Sequence, residues 1–86
     1  MSDLKSRFEQ ATKDVKTLTE RPDNEALLKL YAHFKQSTEG DASGSRPGMM
    51  NMVARAKYDA WAELKGMSSD DAMNAYIAIV TELQGG

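Results

Sequence analysis

Apolar positions recur along this chain at steps of three and four. Between Asp3 and Thr19, Leu4, Phe8, Ala11, Val15 and Leu18 fall on one stripe, the pattern of an amphipathic helix that buries a single face. Ser2 or Asp3 suits its N-cap. Arg21-Pro22 ends it, because the residue before a proline is pushed out of the helical region. A second stripe, Leu27, Leu30 or Tyr31, and Phe34, follows Asp23-Asn24-Glu25. Asp23 fits an N-cap there, and an acidic first turn suits the helix dipole. This helix is expected to end near Thr38, with Gly40 as its stop.

Residues 39–50 break the periodicity with three glycines, a proline and two serines, which is loop chemistry. The segment is long for a tight link between antiparallel neighbours and long enough to cross over a bundle. A third helix is expected from about Met50 to Leu64, with Val53, Lys57, Ala60, Trp61 and Leu64 on neighbouring turns and Lys65-Gly66 closing it. Ser68 and Asp71 have the spacing of a capping box, with Asp71 in the place usually held by Glu or Gln. Ala72, Tyr76, Ile79 or Val80, and Leu83 then mark a fourth helix, which Gly85-Gly86 frays. Four helices and no strand predict an all-α bundle, with residues 1–86 forming one domain.

Composition narrows the picture. At 86 residues the chain suits one domain with one modest core. The absence of cysteine excludes disulfides and thiolate metal sites. No apolar run approaches the roughly 20 residues of a membrane span, so no stable membrane insertion is expected. The stretch from Met1 to Gln10 carries Asp3, Lys5, Arg7 and Glu9; it lacks a signal-peptide core, and a cytoplasmic location is the default expectation. A net charge of −2 argues against nucleic acid as a partner. The basic residues, among them Lys13, Lys16, Lys35, Arg55 and Lys57, all precede Asp70. An acidic protein can still hold a polyanion if several of them converge.

Catalytic machinery is missing. His33 is the only histidine, it sits within a helical stretch without a fixed carboxylate partner, and it reads as a boundary residue rather than a general base. The stretch from Asp41 resembles the start of a calcium loop, but Arg46 and Met52 occupy the positions that need Gly and Glu. Gly44 to Gly48 lacks the Gly-Lys-Ser/Thr ending of a phosphate loop. Met49, Met50 and Met52 form a cluster that suits either core filling or a flexible apolar binding surface. In Leu30-Tyr31-Ala32-His33-Phe34-Lys35-Gln36, Tyr31 and Lys35 share a helix face and Phe34 lies beside them. An aromatic ring and an ammonium so placed can take a base and a phosphate together. An ordinary helix edge has the same spacing.

Taken together, that segment, Gly40-Asp41, Arg46-Pro47-Gly48-Met49, Ala56-Lys57-Tyr58-Asp59-Ala60-Trp61, Leu64-Lys65-Gly66-Met67-Ser68, Asp71-Ala72-Met73 and Ala75-Tyr76-Ile77 resemble the acyl-CoA-binding protein family in order and spacing over nearly the whole chain. The resemblance implies a four-helix up-down-down-up bundle with a bowl-shaped site for one fatty acyl-CoA, no further cofactor, no metal and no catalysis. By position, Tyr31, Phe34 and Lys35 are expected to meet the adenosine and 3′-phosphate end, with Lys57 joining the phosphate cluster. Lys16 and Tyr76 match the remaining polar contacts, and Leu27 with the loop-side methionines match the acyl groove. Phe34 stands where the family usually has tyrosine, Tyr58 where tryptophan is common, and Val53 where lysine is frequent. The resemblance thus implies a monomeric intracellular carrier of medium- to long-chain acyl-CoA. The competing expectation is a helical protein–protein interaction module that uses the Met49–Val53 surface.

Overall fold

The computed structural model describes residues 3–85. Ser2, one of the two expected N-caps, and Gly86, part of the expected fraying end, lie outside them. Helix α1 spans Asp3–Asp14, α2 Asn24–Glu39, α3 Met52–Ala62 and α4 Ser69–Leu83. No strand occurs among the described residues, and the all-α expectation holds.

Two of the predicted caps form as expected. The Asp23 carboxylate accepts the Ala26 N–H at 2.8 Å, and the Ser68 hydroxyl accepts the Asp71 N–H at 3.0 Å. Each satisfies a donor that the first helical turn leaves unpaired. Gly40, at φ +83°, ends α2 in a conformation that a side chain would strain.

Three boundaries differ from the expected ones. The first helix tightens into a 3-10 turn at Val15–Thr17 and leaves the helical region at Leu18, before Pro22 is reached. Thr17 Oγ1 donates to the Asp14 carbonyl at 3.0 Å, a local bond of the kind that competes with the helical ladder. The third helix starts at Met52 because the Asn51 side chain accepts the Ala54 N–H, making Asn51 the cap rather than part of the helix. After Ala62 the chain turns through residues 63–66.

Helix directions follow from a few contacts. Lys57 Nζ lies over the Tyr31 ring and Lys35 Nζ over the Trp61 ring. Both residues advance by four along their helices, so α2 and α3 run parallel, and the loop between them must cross over. Ser69 Oγ donates to the Ser37 carbonyl at 2.7 Å, while Phe34 meets Tyr76 further along α4; α2 and α4 are antiparallel. The start of α1 lies beside the end of α2, with Phe8 near Phe34 and Tyr76, so α1 and α4 are parallel. This is the up-down-down-up order.

The core lies where α1, α2 and α4 meet. Phe8, Ala11, Leu30, Tyr76 and Val80 are its buried members, with Val15, Met73, Ile77, Ile79 and Leu83 packed against them. Burying a side chain of the Val, Leu or Phe type is worth about 1.5–3 kcal/mol. The Cα envelope measures 38 × 31 × 15 Å, less than half as deep in its short direction as along the other two. So flat a bundle leaves α3 packed mainly on α2, with much of both helices facing solvent.

Candidate functional site

Along α2, Asn24, Leu27, Leu28, Tyr31, Phe34 and Lys35 follow at steps of three and four and therefore share one face. On α3, Val53, Lys57 and Trp61 do the same. Where the two faces meet, a concavity of about 600 Å³ is lined by Leu27, Leu28, Tyr31, Met52, Val53 and Lys57, with Arg21 and Asn24 at its α2 N-terminal end. A second concavity of about 470 Å³ shares Tyr31, Val53 and Lys57 with the first and continues to Tyr58 and Trp61. The apolar groove thus passes directly into an aromatic and cationic region.

The cations in that region form two rungs. Lys57 Nζ lies 5.4 Å from the Tyr31 ring centre, and Lys35 Nζ lies 5.0 Å from that of Trp61. Each ammonium faces the negative face of a ring on the other helix, which holds it near the junction without neutralising it. Lys35 also pairs with Glu39, one turn along α2. The hydrogen bond to Glu39 is the main reason its pKa is raised, so Lys35 stays charged throughout the physiological range.

The surroundings of this ladder are fastened at several points. Trp61 Nε1 donates to the Gly40 carbonyl at 2.8 Å, fixing the indole under Lys35. Arg46 makes a two-pronged pair with Asp59, at 2.8 and 2.7 Å. That pairing raises the Arg46 pKa and holds Asp59 below the usual carboxylate range. Tyr58 Oη donates to the Gly44 carbonyl at 3.2 Å. The crossover loop is thereby tied to α3. Buried Gln36 donates from Nε2 to Asp41 Oδ1 at 2.8 Å and to the Met67 carbonyl at 2.9 Å, and the Gly66 N–H donates to the same Asp41 oxygen at 2.8 Å. The Gly66 and Gln36 donors lower the Asp41 pKa. One carboxylate thus ties the end of α2 to the turn between α3 and α4.

The seven expected site residues divide into groups. Leu27, Tyr31, Lys35 and Lys57 come together along the α2–α3 junction. Phe34 and Tyr76 lie around the side of α2, packed with Phe8. The Phe8 and Phe34 rings stack at 5.9 Å, and Phe8 meets Tyr76 edge-on at 5.1 Å. Phe34 remains 40% exposed and lines a further concavity of about 490 Å³ with Lys5, Thr12 and Thr38. Tyr76 is buried, and burial raises its pKa, so its hydroxyl stays protonated. Lys16 sits exposed on the 3-10 turn; among the described residues, no side-chain pairing joins it to the ladder. Of the loop-side methionines, Met52 lines the groove, whereas Met49 and Met50 stand outside it, 75% and 100% exposed.

The residues missed at sequence level are Leu28, Trp61 and Arg21. Leu28 stands three before Tyr31, and Trp61 four after Lys57; spacing could have named both. Nothing in the spacing points to Arg21. His33 Nδ1 donates to the Lys29 carbonyl at 2.7 Å and the residue is partly buried, as a boundary residue should be.

Comparison with known proteins gives one consistent answer. Residues 5–80 match the family described as Acyl CoA binding protein. The chain is 51% identical over 76 residues to Acyl-CoA-binding protein homolog 1 of Caenorhabditis elegans, covering 88% of each chain. It is 51% identical over 80 residues to Acyl-CoA-binding domain-containing protein 6 of Arabidopsis thaliana, covering 93% of this chain and 87% of that one. Among solved structures, the crystal structure of Oryza sativa Acyl-CoA-Binding Protein 2 superposes with a TM-score of 0.91 at 39% identity, over 95% of this chain and 89% of that one.

Proposed function

Since the chain belongs to the acyl-CoA-binding protein family, we propose that it carries fatty acyl-CoA with the headgroup at the Tyr31–Lys35–Lys57 ladder and the acyl chain in the groove beside Leu27 and Leu28. The observation that carries this reading is the continuity of the two. A ligand with a charged head and an apolar tail meets cations and rings at one end and aliphatic walls at the other, without a gap.

The head of coenzyme A brings a 3′-phosphate of about −1.5 to −2 charges besides its diphosphate. Charge-assisted hydrogen bonds from Lys35 and Lys57 to such a group are worth about 1.5–3 kcal/mol each. Tyr31 presents a ring and a hydroxyl at the same place. Phe34, at the edge of the same α2 face, offers an exposed ring on which a base stacks, and Tyr76 offers a protonated hydroxyl beside it. Lys16 is assigned to the outer edge of the headgroup, where it acts through charge rather than a fixed contact.

The tail supplies the larger share of affinity. Each buried methylene contributes about 0.8 kcal/mol, so some ten contribute on the order of 8 kcal/mol before ordering costs. The headgroup cluster then selects for CoA. Free fatty acid leaves two lysines unpaired, and free CoA leaves the groove unfilled. No bond is made or broken in this account; the protein is a cytoplasmic, monomeric carrier and not an enzyme.

Isothermal calorimetry with palmitoyl-CoA, CoA and palmitate tests the reading. Tight binding of the first and much weaker binding of the other two is expected. Equal affinity for all three, or no heat from palmitoyl-CoA, overturns it.

A further inference from the structure

The groove is apolar along its walls but not at its far end. From Tyr31 its α2 wall runs back through Leu28 and Leu27 to Asn24, with Arg21 beyond. Asn24 lies two helical turns before Tyr31, about 11 Å along the axis. The end remote from the lysine ladder thus presents a guanidinium and an amide, to which the methyl end of a saturated chain offers nothing.

Arg21 is not committed elsewhere. It is exposed, and among the described residues it forms no ion pair, although Glu20, Asp23 and Glu25 stand close in sequence. Asp23 uses its carboxylate to cap α2. Pro22 restricts the Arg21 backbone to extended conformations, so the guanidinium is presented from a stiff segment. Helices α2 and α3 run parallel and both begin at this end. Helix α3 does so with a neutral cap, Asn51, and no acidic residue in its first turn, which leaves the positive end of its dipole uncompensated.

We propose that the groove accepts acyl-CoA whose chain ends in a carboxylate, the CoA monoester of a long-chain dicarboxylic acid, with Arg21 binding the distal carboxylate. The inference rests on the acyl-CoA reading above. A carboxylate at the end of a purely apolar groove is left without a partner, at a large cost. Here it emerges from between Leu27 and Met52 beside a planar guanidinium fork that matches its two oxygens, and the Asn24 amide adds a neutral donor. A methyl end lies against the methylene stem of the same arginine without penalty. Cations at both ends of an apolar channel suit a ligand charged at both ends.

Calorimetry with palmitoyl-CoA, the CoA monoester of hexadecanedioic acid and the distal methyl ester of that compound tests it. Arg21→Ala is expected to weaken the dicarboxylic ligand about fivefold, the scale of an ion pair at a surface, and to leave palmitoyl-CoA and the methyl ester unchanged. Arg21→Lys is expected to restore part of the loss, and added salt to shrink it. An equal loss for all three ligands means that Arg21 only walls the groove, and an unaltered affinity for the dicarboxylic ligand means that its end lies in water; either result overturns the inference. Thermal melting of Arg21→Ala should match the parent, since the side chain is exposed. Failure of the underlying reading is separate: it appears as an absence of palmitoyl-CoA binding by the parent protein.

Discussion

Lys57 Nζ lies 5.4 Å from the centre of the Tyr31 ring, across the junction of α3 and α2. One turn further along both helices the roles exchange, with Lys35 of α2 over Trp61 of α3. Each ammonium is thus backed by a ring of the other helix, and Lys35 is paired with the Glu39 carboxylate as well. On the proposed reading, a phosphate at the junction takes both.

Removing either cation should therefore be costly. Lys35→Ala and Lys57→Ala are each expected to weaken palmitoyl-CoA binding by about tenfold or more, the loss of one charge-assisted bond. Circular dichroism and thermal melting should remain close to the parent, since both ammonium groups are held at the surface. Calorimetry at two salt concentrations gives the affinity, and the effect should shrink as salt rises.

On the proposed reading, Glu39 competes with the ligand. It pairs with Lys35 in the free protein, so a phosphate must draw Lys35 from it or share it. Glu39→Gln is expected to tighten acyl-CoA binding by up to about fivefold, the scale of a surface ion pair. An affinity unchanged or reduced in that variant would show that Lys35 does not leave Glu39 on binding.

Val53 lines both concavities beside Lys57. Val53→Lys adds a cation at that point and is expected to tighten binding of CoA itself roughly tenfold. The gain for long-chain acyl-CoA should be smaller, because the same change removes an aliphatic wall from the groove. The ratio of the two affinities, measured by calorimetry, reads the competition.

Acid should loosen the junction of α2, α3 and α4. The Gly66 N–H and Gln36 amide lower the Asp41 pKa, so the folded protein binds fewer protons than the unfolded chain between that value and the ordinary carboxylate pKa of about 3.9. Stability from this site is complete above the ordinary value and is lost as pH falls through the folded one. Asp59, lowered by Arg46, acts in the same window. Urea unfolding at neutral pH and near pH 3 should show a midpoint that falls with acid, and a smaller fall in Asp41→Asn.

Much of this architecture is legible without coordinates because helices write themselves as periodicity. Phe8 and Ala11, Leu30, and Tyr76 and Val80 were all on their predicted stripes, and Asp23 and Ser68 cap where short polar side chains precede apolar runs. The late start of α3 traces to a local bond, the Asn51 side chain accepting the Ala54 N–H. Such competition between side chain and backbone leaves no periodic trace. The site divides the same way. Tyr31 and Lys35 are visible as neighbours because they share one helix. Their meeting with Lys57 and Trp61 depends on the parallel register of two helices, which the crossover loop sets and spacing along one strand of sequence does not encode. The Gln36–Asp41–Gly66 network is hidden for the same reason.

Trp61 is the chain's only tryptophan, and its indole is at once pinned to the Gly40 carbonyl and covered by the Lys35 ammonium. A charge resting on an indole changes the light it emits. When a phosphate draws Lys35 away from that ring, the emission should change with it. With the headgroup captured at Lys35 as proposed, the protein carries its own unlabelled optical reporter at that point, and its occupancy can be followed in real time from native fluorescence.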